Sequence, residues 1–256
     1  MTGPKGERLD ERLVREGLAD SRTRAAALIR TGDLLVDDTP VDKPGTRVAP
    51  EAVLRFRGSL RRFASRGGEK LAGALDDLGI DPTGLRCLDI GASTGGFTDA
   101  LLQAGAKSVI ALDVGYGQLA LGLREDPRVH VMERCNAREL SAEALPETPE
   151  LVTVDVSFIS VRLLLGPISR SAPAARLLVM VKPQFEVGRE QVGKGGVVRD
   201  DALREAVVDR VAEAAALLGY REAGRADSQL AGPKGNREIF LLLEPGEAES
   251  TRGDCR

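Results

Sequence analysis

Leu88-Asp89-Ile90-Gly91-Ala92-Ser93-Thr94-Gly95-Gly96-Phe97 is an apolar run that breaks into a glycine-rich turn, and a second run ends in Ala111-Leu112-Asp113-Val114-Gly115. Glycines at the end of a strand let the backbone come close to a ligand and open the next helix. An acid about 20 residues further on, here Asp113, can accept hydrogen bonds from ribose hydroxyls. The pair of runs predicts a nucleoside cofactor above the carboxyl ends of a parallel sheet. The spacing is not the Gly-x-Gly-x-x-Gly of a pyrophosphate cradle, and Asp89 just before the turn suits a cationic methionine end better than a diphosphate. S-adenosylmethionine is the cofactor this favours, held by Asp89, Gly91, Ser93, Thr94, Gly95, Gly96, Phe97 and Asp113. A NAD-type cofactor and a plain strand-to-helix turn stand as alternatives.

Outward from this loop, strand-like apolar runs alternate with helical patterns from residue 70 onward. Strands are expected at 87–90, 109–113, 129–132, 151–155, 177–181 and 239–243, with a last strong helix over about 201–218. Such alternation means a mostly parallel sheet covered on both faces. Ahead of it, residues 7–57 form a compact unit. Leu9, Leu13 and Val14 recur at helical spacing up to Gly17. Asp20-Ser21 caps a second helix carrying Ala25, Leu28 and Ile29 up to Gly32. Short strands follow near 34–36 and 53–56, with turn residues between them. Residues 58–69 are basic and aperiodic and are read as a linker, 70–245 as the larger domain and 246–256 as a tail.

The composition excludes several classes. No apolar run approaches the roughly 18 residues of a membrane span, and the charged N-terminal stretch does not resemble a secretory signal, so a cytoplasmic protein is expected. Cys87, Cys135 and Cys255 lack a Cys-x-x-Cys spacing, against a disulfide framework or a zinc site, and no metal is expected. Charge is uneven. Residues 1–70 carry 15 Lys and Arg against 11 Asp and Glu, and the remainder 21 against 28, which fits a front module that touches phosphate.

If a methyl group is transferred, the end of the fourth strand bears on the acceptor. Asp155-Val156-Ser157-Phe158 replaces the Asn/Asp-Pro-Pro-aromatic turn usual for exocyclic amines, and no cysteine sits beside a proline at a strand end as carbon methylation of pyrimidines requires. A polar set remains near the sheet top: Lys70, Asp155, Lys182 and Glu238. A ribose hydroxyl is a poor nucleophile, so its methylation needs a base within reach and charges that favour the alkoxide. A neutral lysine can serve as that base.

These stretches together resemble the TlyA family of ribosomal RNA 2′-O-methyltransferases, an S4-type RNA-binding domain joined to an FtsJ-like catalytic domain. The resemblance rests on Arg8-Leu9-Asp10, Gly17-Leu18-Ala19, Asp42-Lys43-Pro44-Gly45, Ser65-Arg66-Gly67-Gly68-Glu69-Lys70, the 89–98 loop, Asp113-Val114-Gly115, Asp155-Val156-Ser157-Phe158, Val181-Lys182-Pro183-Gln184-Phe185-Glu186 and Gly232-Pro233-Lys234-Gly235-Asn236-Arg237-Glu238. It covers about residues 7–243. It implies a Rossmann-like class I methyltransferase with a mostly parallel seven-stranded sheet, preceded by a small α+β RNA-binding domain. It also implies a catalytic set of Lys70, Asp155, Lys182 and Glu238 with Lys182 as base, and Asn136-Ala137 near the adenine. The implied substrate is a cytidine ribose in 16S rRNA, 23S rRNA or both. Two departures stand out: Asp37-Asp38 where the family often has Asn-Gly, and Phe63-Ala64 in place of Tyr-Val.

With no Trp, two Tyr and six Phe, the chain offers little aromatic stacking. Recognition of ribosomal RNA or its subunits is expected to rest on phosphate contacts from Arg8, Arg22, Arg24, Lys43, Arg61, Arg62 and Arg66. A non-catalytic ribosome-assembly protein and a membrane-active haemolysin are the competing readings. The first predicts a broken catalytic set and the second a strongly amphipathic basic helix; the sequence has neither. Oligomeric state is left open.

Overall fold

The computed structural model describes residues 6–19, 21–30, 32–56, 62–193, 195–232 and 235–246. Asp20, Arg61 with the rest of 57–61, the Pro233-Lys234 pair and residues 247–256 of the tail lie outside them. The chain divides into two compact units, Met1–Arg62 and Phe63–Arg256.

The front unit runs β1 (Glu7–Arg8), α1 (Leu9–Arg15), α2 (Arg22–Arg30), β2 (Leu34–Val36), β3 (Thr39–Pro40), β4 (Arg47–Val48) and β5 (Leu54–Phe56). β1 pairs with β4, and β2 lies between β3 and β5. Leu9, Leu13, Ala25, Ile29, Leu34 and Val48 make its core. Ser21 Oγ accepts from Arg24 N at 3.2 Å, the capping bond expected at the start of α2. Arg12 is nearly buried and clamps α1 to the 49–52 turn by donating to Ala49 O at 2.6 Å and Ala52 O at 2.7 Å. The β2–β3 hairpin turns through Asp37 and Asp38, both left-handed at φ 48° and 63°. This is the conformation for which Asn-Gly is preferred. Here Asp37 Oδ1 accepts from Val53 N at 2.8 Å, and Asp38 pairs with Arg55 in the open.

The second unit runs α3 (Arg66–Asp77), β6 (Arg86–Ile90), α4 (Gly96–Gln103), β7 (Ser108–Asp113), α5 (Leu121–Arg124), β8 (Val129–Glu133), β9 (Leu151–Val154), α6 (Arg162–Ser171), β10 (Arg176–Val181), α7 (Pro183–Glu186), α8 (Asp201–Ala216), β11 (Tyr220–Asp227) and β12 (Ile239–Pro245). They build one seven-stranded sheet in the order β11-β12-β10-β9-β6-β7-β8. β10, β9, β6, β7 and β8 are parallel, and β12 and β11 run antiparallel to their neighbours. β11 is the strand that the sequence did not suggest. It is an edge strand whose only buried residue is Tyr220, so its charged residues carry no apolar alternation. α3 starts at Arg66, inside the stretch read as a linker, and Phe63 is packed in the core of this unit.

Strand alternation assigns the two faces. Leu88, Ile90, Val152, Val154, Leu177 and Val179 point to the side of α6 and α8, while Cys87, Leu151, Leu178, Met180 and Phe240 face α3 and α4. The same period puts Asp89 and Thr153, partners in register, on the α4 face. Asp89 is fully buried there. Thr98 Oγ1 of α4 donates to its Oδ2 at 2.7 Å and Thr153 Oγ1 to its Oδ1 at 3.2 Å. Burial pushes its carboxyl up to about 7, against the pull of the Thr98 bond and with the help of the nearby Asp155 charge.

Two expectations follow from these elements. Asp38→Gly relieves a left-handed side chain at the cost of one exposed ion pair worth little. It should stabilise the front unit by about 0.5–1 kcal/mol, read as slower hydrogen exchange of β2 and β5 amides in the whole protein; unchanged or faster exchange contradicts this account of the turn. For Asp89, the folded state holds a proton that the unfolded chain releases near pH 4. Its contribution to stability is complete below that pH and is lost as pH rises toward 7. Asp89→Asn should therefore narrow the difference in melting temperature between pH 5 and pH 7.5, and an unaltered difference would mean that Asp89 is ionised in the fold.

Candidate functional site

The sheet order reverses between β6 and β9, because β7 and β8 extend it one way and β10 the other. Ligands bind at such a switch point, beyond the carboxyl ends of the strands. Asp155 N donates to Ile90 O at 2.9 Å, which holds the two strand ends together. Gly91 follows at φ 88°, and a Cβ there would collide with Asp155 O. Only glycine allows both this turn and this approach.

Two clefts open beside that point. One, of about 500 Å³, is lined by Asp113, Gln118, Cys135, Asn136, Ala137 and Arg138 among others. The second, of about 640 Å³, holds Lys70, Thr94, Gly96, Phe97, Lys182 and Glu238. Gly91, Ser93, Asp155, Ser157 and Phe158 line both, so the clefts meet at the switch point.

In the smaller cleft, Asp113 Oδ2 accepts from Ser93 N at 2.8 Å and Oδ1 from Gly115 N at 2.6 Å. The acid is fixed by the two loops it joins, and each oxygen keeps a further lone pair. Asn136 caps its own turn by accepting from Arg138 N at 3.2 Å and donates to Glu139 at 3.1 Å, with Ala137 buried behind it. Gly95 sits at the N-cap of α4 with φ 94°. Asp89 is beneath the loop and lines neither cleft. Of the two described cysteines, Cys87 is pushed up to about 12 by burial and then by Asp89, and Cys135 is also raised by burial. Both thiols stay protonated at neutral pH, which removes a thiolate nucleophile from their chemistry.

The larger cleft brings Lys70, Asp155, Lys182 and Glu238 together as two ion pairs. Lys70 Nζ donates to Glu238 Oε2 at 2.5 Å, with 8% and 1% of the two residues exposed. Lys182 pairs with Asp155 and also donates to Ser157 Oγ at 3.0 Å. The supporting residues come from β9 and α7. Glu186 is buried and accepts from Ser160 Oγ and from Val161 N, each at 2.6 Å, and so ties the loop after β9 to α7. Phe158 is 88% exposed with φ 69°, and its ring centroid lies 5.2 Å from that of Phe185. Ser157, Phe158, Gln184, Phe185 and Glu186 were not singled out as site residues from the sequence. Only the Lys182-Pro183-Gln184-Phe185-Glu186 run and its partner Asp155-Val156-Ser157-Phe158 signalled them.

Among the basic residues expected to meet RNA, Arg8 and Arg22 share Asp10, at 2.8 Å and 3.4 Å. The Arg8 bond is the main reason the Asp10 carboxyl lies below its usual range, with Arg22 adding to it against burial. Lys43 and Arg62 are exposed and Arg24 half-buried. Arg66 lines the larger cleft and donates to Ala231 O at 3.4 Å.

Comparison with known proteins agrees with this architecture. Residues 63–244 match the FtsJ-like methyltransferase family and residues 7–54 the S4 domain. The chain is 50% identical to the 16S/23S rRNA (cytidine-2′-O)-methyltransferase TlyA of Mycobacterium tuberculosis over 92% of this chain and 89% of that one. It is 40% identical to Hemolysin A of Brachyspira hyodysenteriae over 91% and 98%. A solved structure described as a hemolysin candidate from Streptococcus thermophilus superposes with a TM-score of 0.72 at 37% identity, over 96% of this chain and 90% of that one. A parallel sheet with a glycine loop at its switch point, and matches that span both units, lead to one assignment. The chain belongs to the FtsJ-like methyltransferase family, among the TlyA-type proteins that carry an S4 domain in front.

Proposed function

We propose that this protein transfers a methyl group from S-adenosylmethionine to a ribose 2′-hydroxyl of ribosomal RNA, a cytidine as in the mycobacterial relative, and that it does so in the cytoplasm. The observation that carries the reading is the pair of lysine–carboxylate ion pairs in one cleft, joined at Gly91 and Asp155 to a second cleft suited to a nucleoside.

The donor set fits the cofactor. Asp113 has lone pairs left for the ribose hydroxyls, Asn136 and Ala137 form the wall an adenine would meet, and Gly91, Ser93, Thr94, Gly96 and Phe97 line the passage into the larger cleft. When bound, S-adenosylmethionine supplies an electrophilic methyl group on a sulfonium. The chain's own residues handle the hydroxyl. Lys182 Nζ, having first released one proton to solvent to become the free amine, takes the hydroxyl proton as the oxygen acquires the methyl group, and Asp155 and Ser157 fix where that nitrogen stands. Lys70, steadied by Glu238, holds positive charge in the same cleft and favours the developing alkoxide. Phe158 offers an exposed ring on which the target base can rest. The front unit, with Arg8, Arg22, Arg24, Lys43 and Arg62, grips the RNA by its phosphates, and Arg66 does so at the cleft mouth.

Calorimetry tests the cofactor half of this reading. Asp113→Ala should weaken S-adenosylmethionine binding by about 1.5–3 kcal/mol, since the ribose loses its acceptor; unchanged affinity in a folded variant takes Asp113 out of the site. Lys182→Arg tests the base. Arginine keeps the charge and the reach toward Asp155 yet cannot give up a proton in this range. Single-turnover 2′-O-methylation of ribosomal RNA should fall about 100-fold or more while S-adenosylmethionine still binds. Near-normal turnover would leave Lys182 a positioning role and pass the proton to Asp155.

A further inference from the structure

Gln184 stands on α7, two residues beyond Lys182, and lines the larger cleft. Its Oε1 is buried and has no hydrogen-bond partner among the described residues. The other buried side-chain oxygens in that condition, Asp155 Oδ1 and Glu238 Oε1, belong to carboxylates already paired with Lys182 and Lys70. Gln184 Oε1, by contrast, is the oxygen of a neutral amide, buried in the cleft lining and without a hydrogen-bond partner among the described residues. A buried amide oxygen left unpaired is penalised, and a methionine of nearly the same volume would fill the space without that penalty. An unpaired polar group of this kind calls for a partner that arrives with the ligand.

The base of the target nucleotide is the group that would enter with the ribose. Phe158 and Phe185 give the same cleft flat apolar walls. At the edge of a pyrimidine the choice is simple: cytosine presents an exocyclic amine, which donates, and uracil presents a carbonyl oxygen, which accepts. Facing Gln184 Oε1, the amine completes a hydrogen bond, while the carbonyl leaves two acceptors opposed and both unpaired. We propose that Gln184 Oε1 accepts a hydrogen bond from the exocyclic amine of the target cytosine and thereby selects cytidine over uridine. This rests on the 2′-O-methylation reading above and adds the residue that sets its base preference. Gln184 touches the base and takes no part in the proton transfer.

The test uses the full-length protein with ribosomal subunits and with free 16S and 23S rRNA. Each is prepared with cytidine or uridine at the nucleotide that the wild-type protein methylates. The wild type should prefer cytidine at least tenfold in kcat/KM. Gln184→Met should bring the ratio close to one, the loss falling on the cytidine substrate, while calorimetric affinity for S-adenosylmethionine is retained. Gln184→Glu keeps an acceptor oxygen and should keep the preference. Because the readout is a ratio of two rates from one preparation, partial misfolding of a variant cancels. Equal rates on both nucleotides by the wild type, or a full preference retained by Gln184→Met, would overturn the role of Gln184 and leave the methylation reading standing. Absence of methylation on every rRNA and subunit would instead overturn that reading, and this inference with it.

Discussion

Everything at the site depends on how closely two parallel strands approach where the sheet reverses its order. The bond from Asp155 N to Ile90 O and the missing side chain at Gly91 let the end of β9 lie against the loop after β6. The loop that suits a nucleoside and the acid that pairs with Lys182 are thereby neighbours. A side chain at position 91 would collide with Asp155 O, and the two clefts meet at that contact. The parallel arrangement supplies the rest. Strands whose carboxyl ends all face one way deliver Asp113, Asp155 and Lys182 to a single edge of the sheet, although 42 and 27 residues of chain separate them.

The charges at that edge are arranged in depth. Asp89 lies lowest, fully buried and held by two threonine hydroxyls, with its carboxyl shifted toward the neutral form. A proton there removes a negative charge from beneath the glycine loop and lessens the repulsion on Asp155. Above it, each lysine enters the cleft with its own carboxylate, so no bare cation has to be desolvated. Glu238 is almost wholly buried, and a Cβ at Gly232 would strike its Oε1, so that glycine makes the room the pair needs. Lone pairs left unused in this cleft weaken the fold by themselves, and they persist where a ligand completes them.

The sequence made the glycine loop, the parallel strands, the two front helices and the four charged residues legible, because each announces itself locally. Continuous apolar runs mark central strands buried on both faces, and a serine ahead of a helical pattern caps it. Features that depend on distant partners were not readable in this way. β11 is an edge strand whose burial is confined to Tyr220, so its side chains carry no signal of pairing with β12. Arg12 looks like one more surface arginine until the carbonyls of Ala49 and Ala52 come round to meet it. The aspartate pair at 37 and 38 lacks the Asn-Gly favoured in a tight turn, yet the turn forms, because the Val53 amide and the Arg55 side chain satisfy the carboxylates.

The aromatic residues carry the same lesson to the larger cleft. A chain with eight aromatic rings has little with which to stack bases along a strand, and that reasoning holds for an extended binding surface. It says nothing of a single base placed in a single cleft, for which one well-placed ring is enough. Phe158 is held at positive φ, which a bulky side chain adopts only when its surroundings impose it. Those surroundings are within reach on either side. Ser157 is engaged by Lys182, and Ser160 and Val161 are fastened by Glu186. The bonds that fix Lys182 therefore also turn Phe158 outward, and the lysine and the exposed ring are positioned by one short loop. A change in that loop would move both together, and Glu186, which fastens Ser160 and Val161, is the residue that holds the loop to α7.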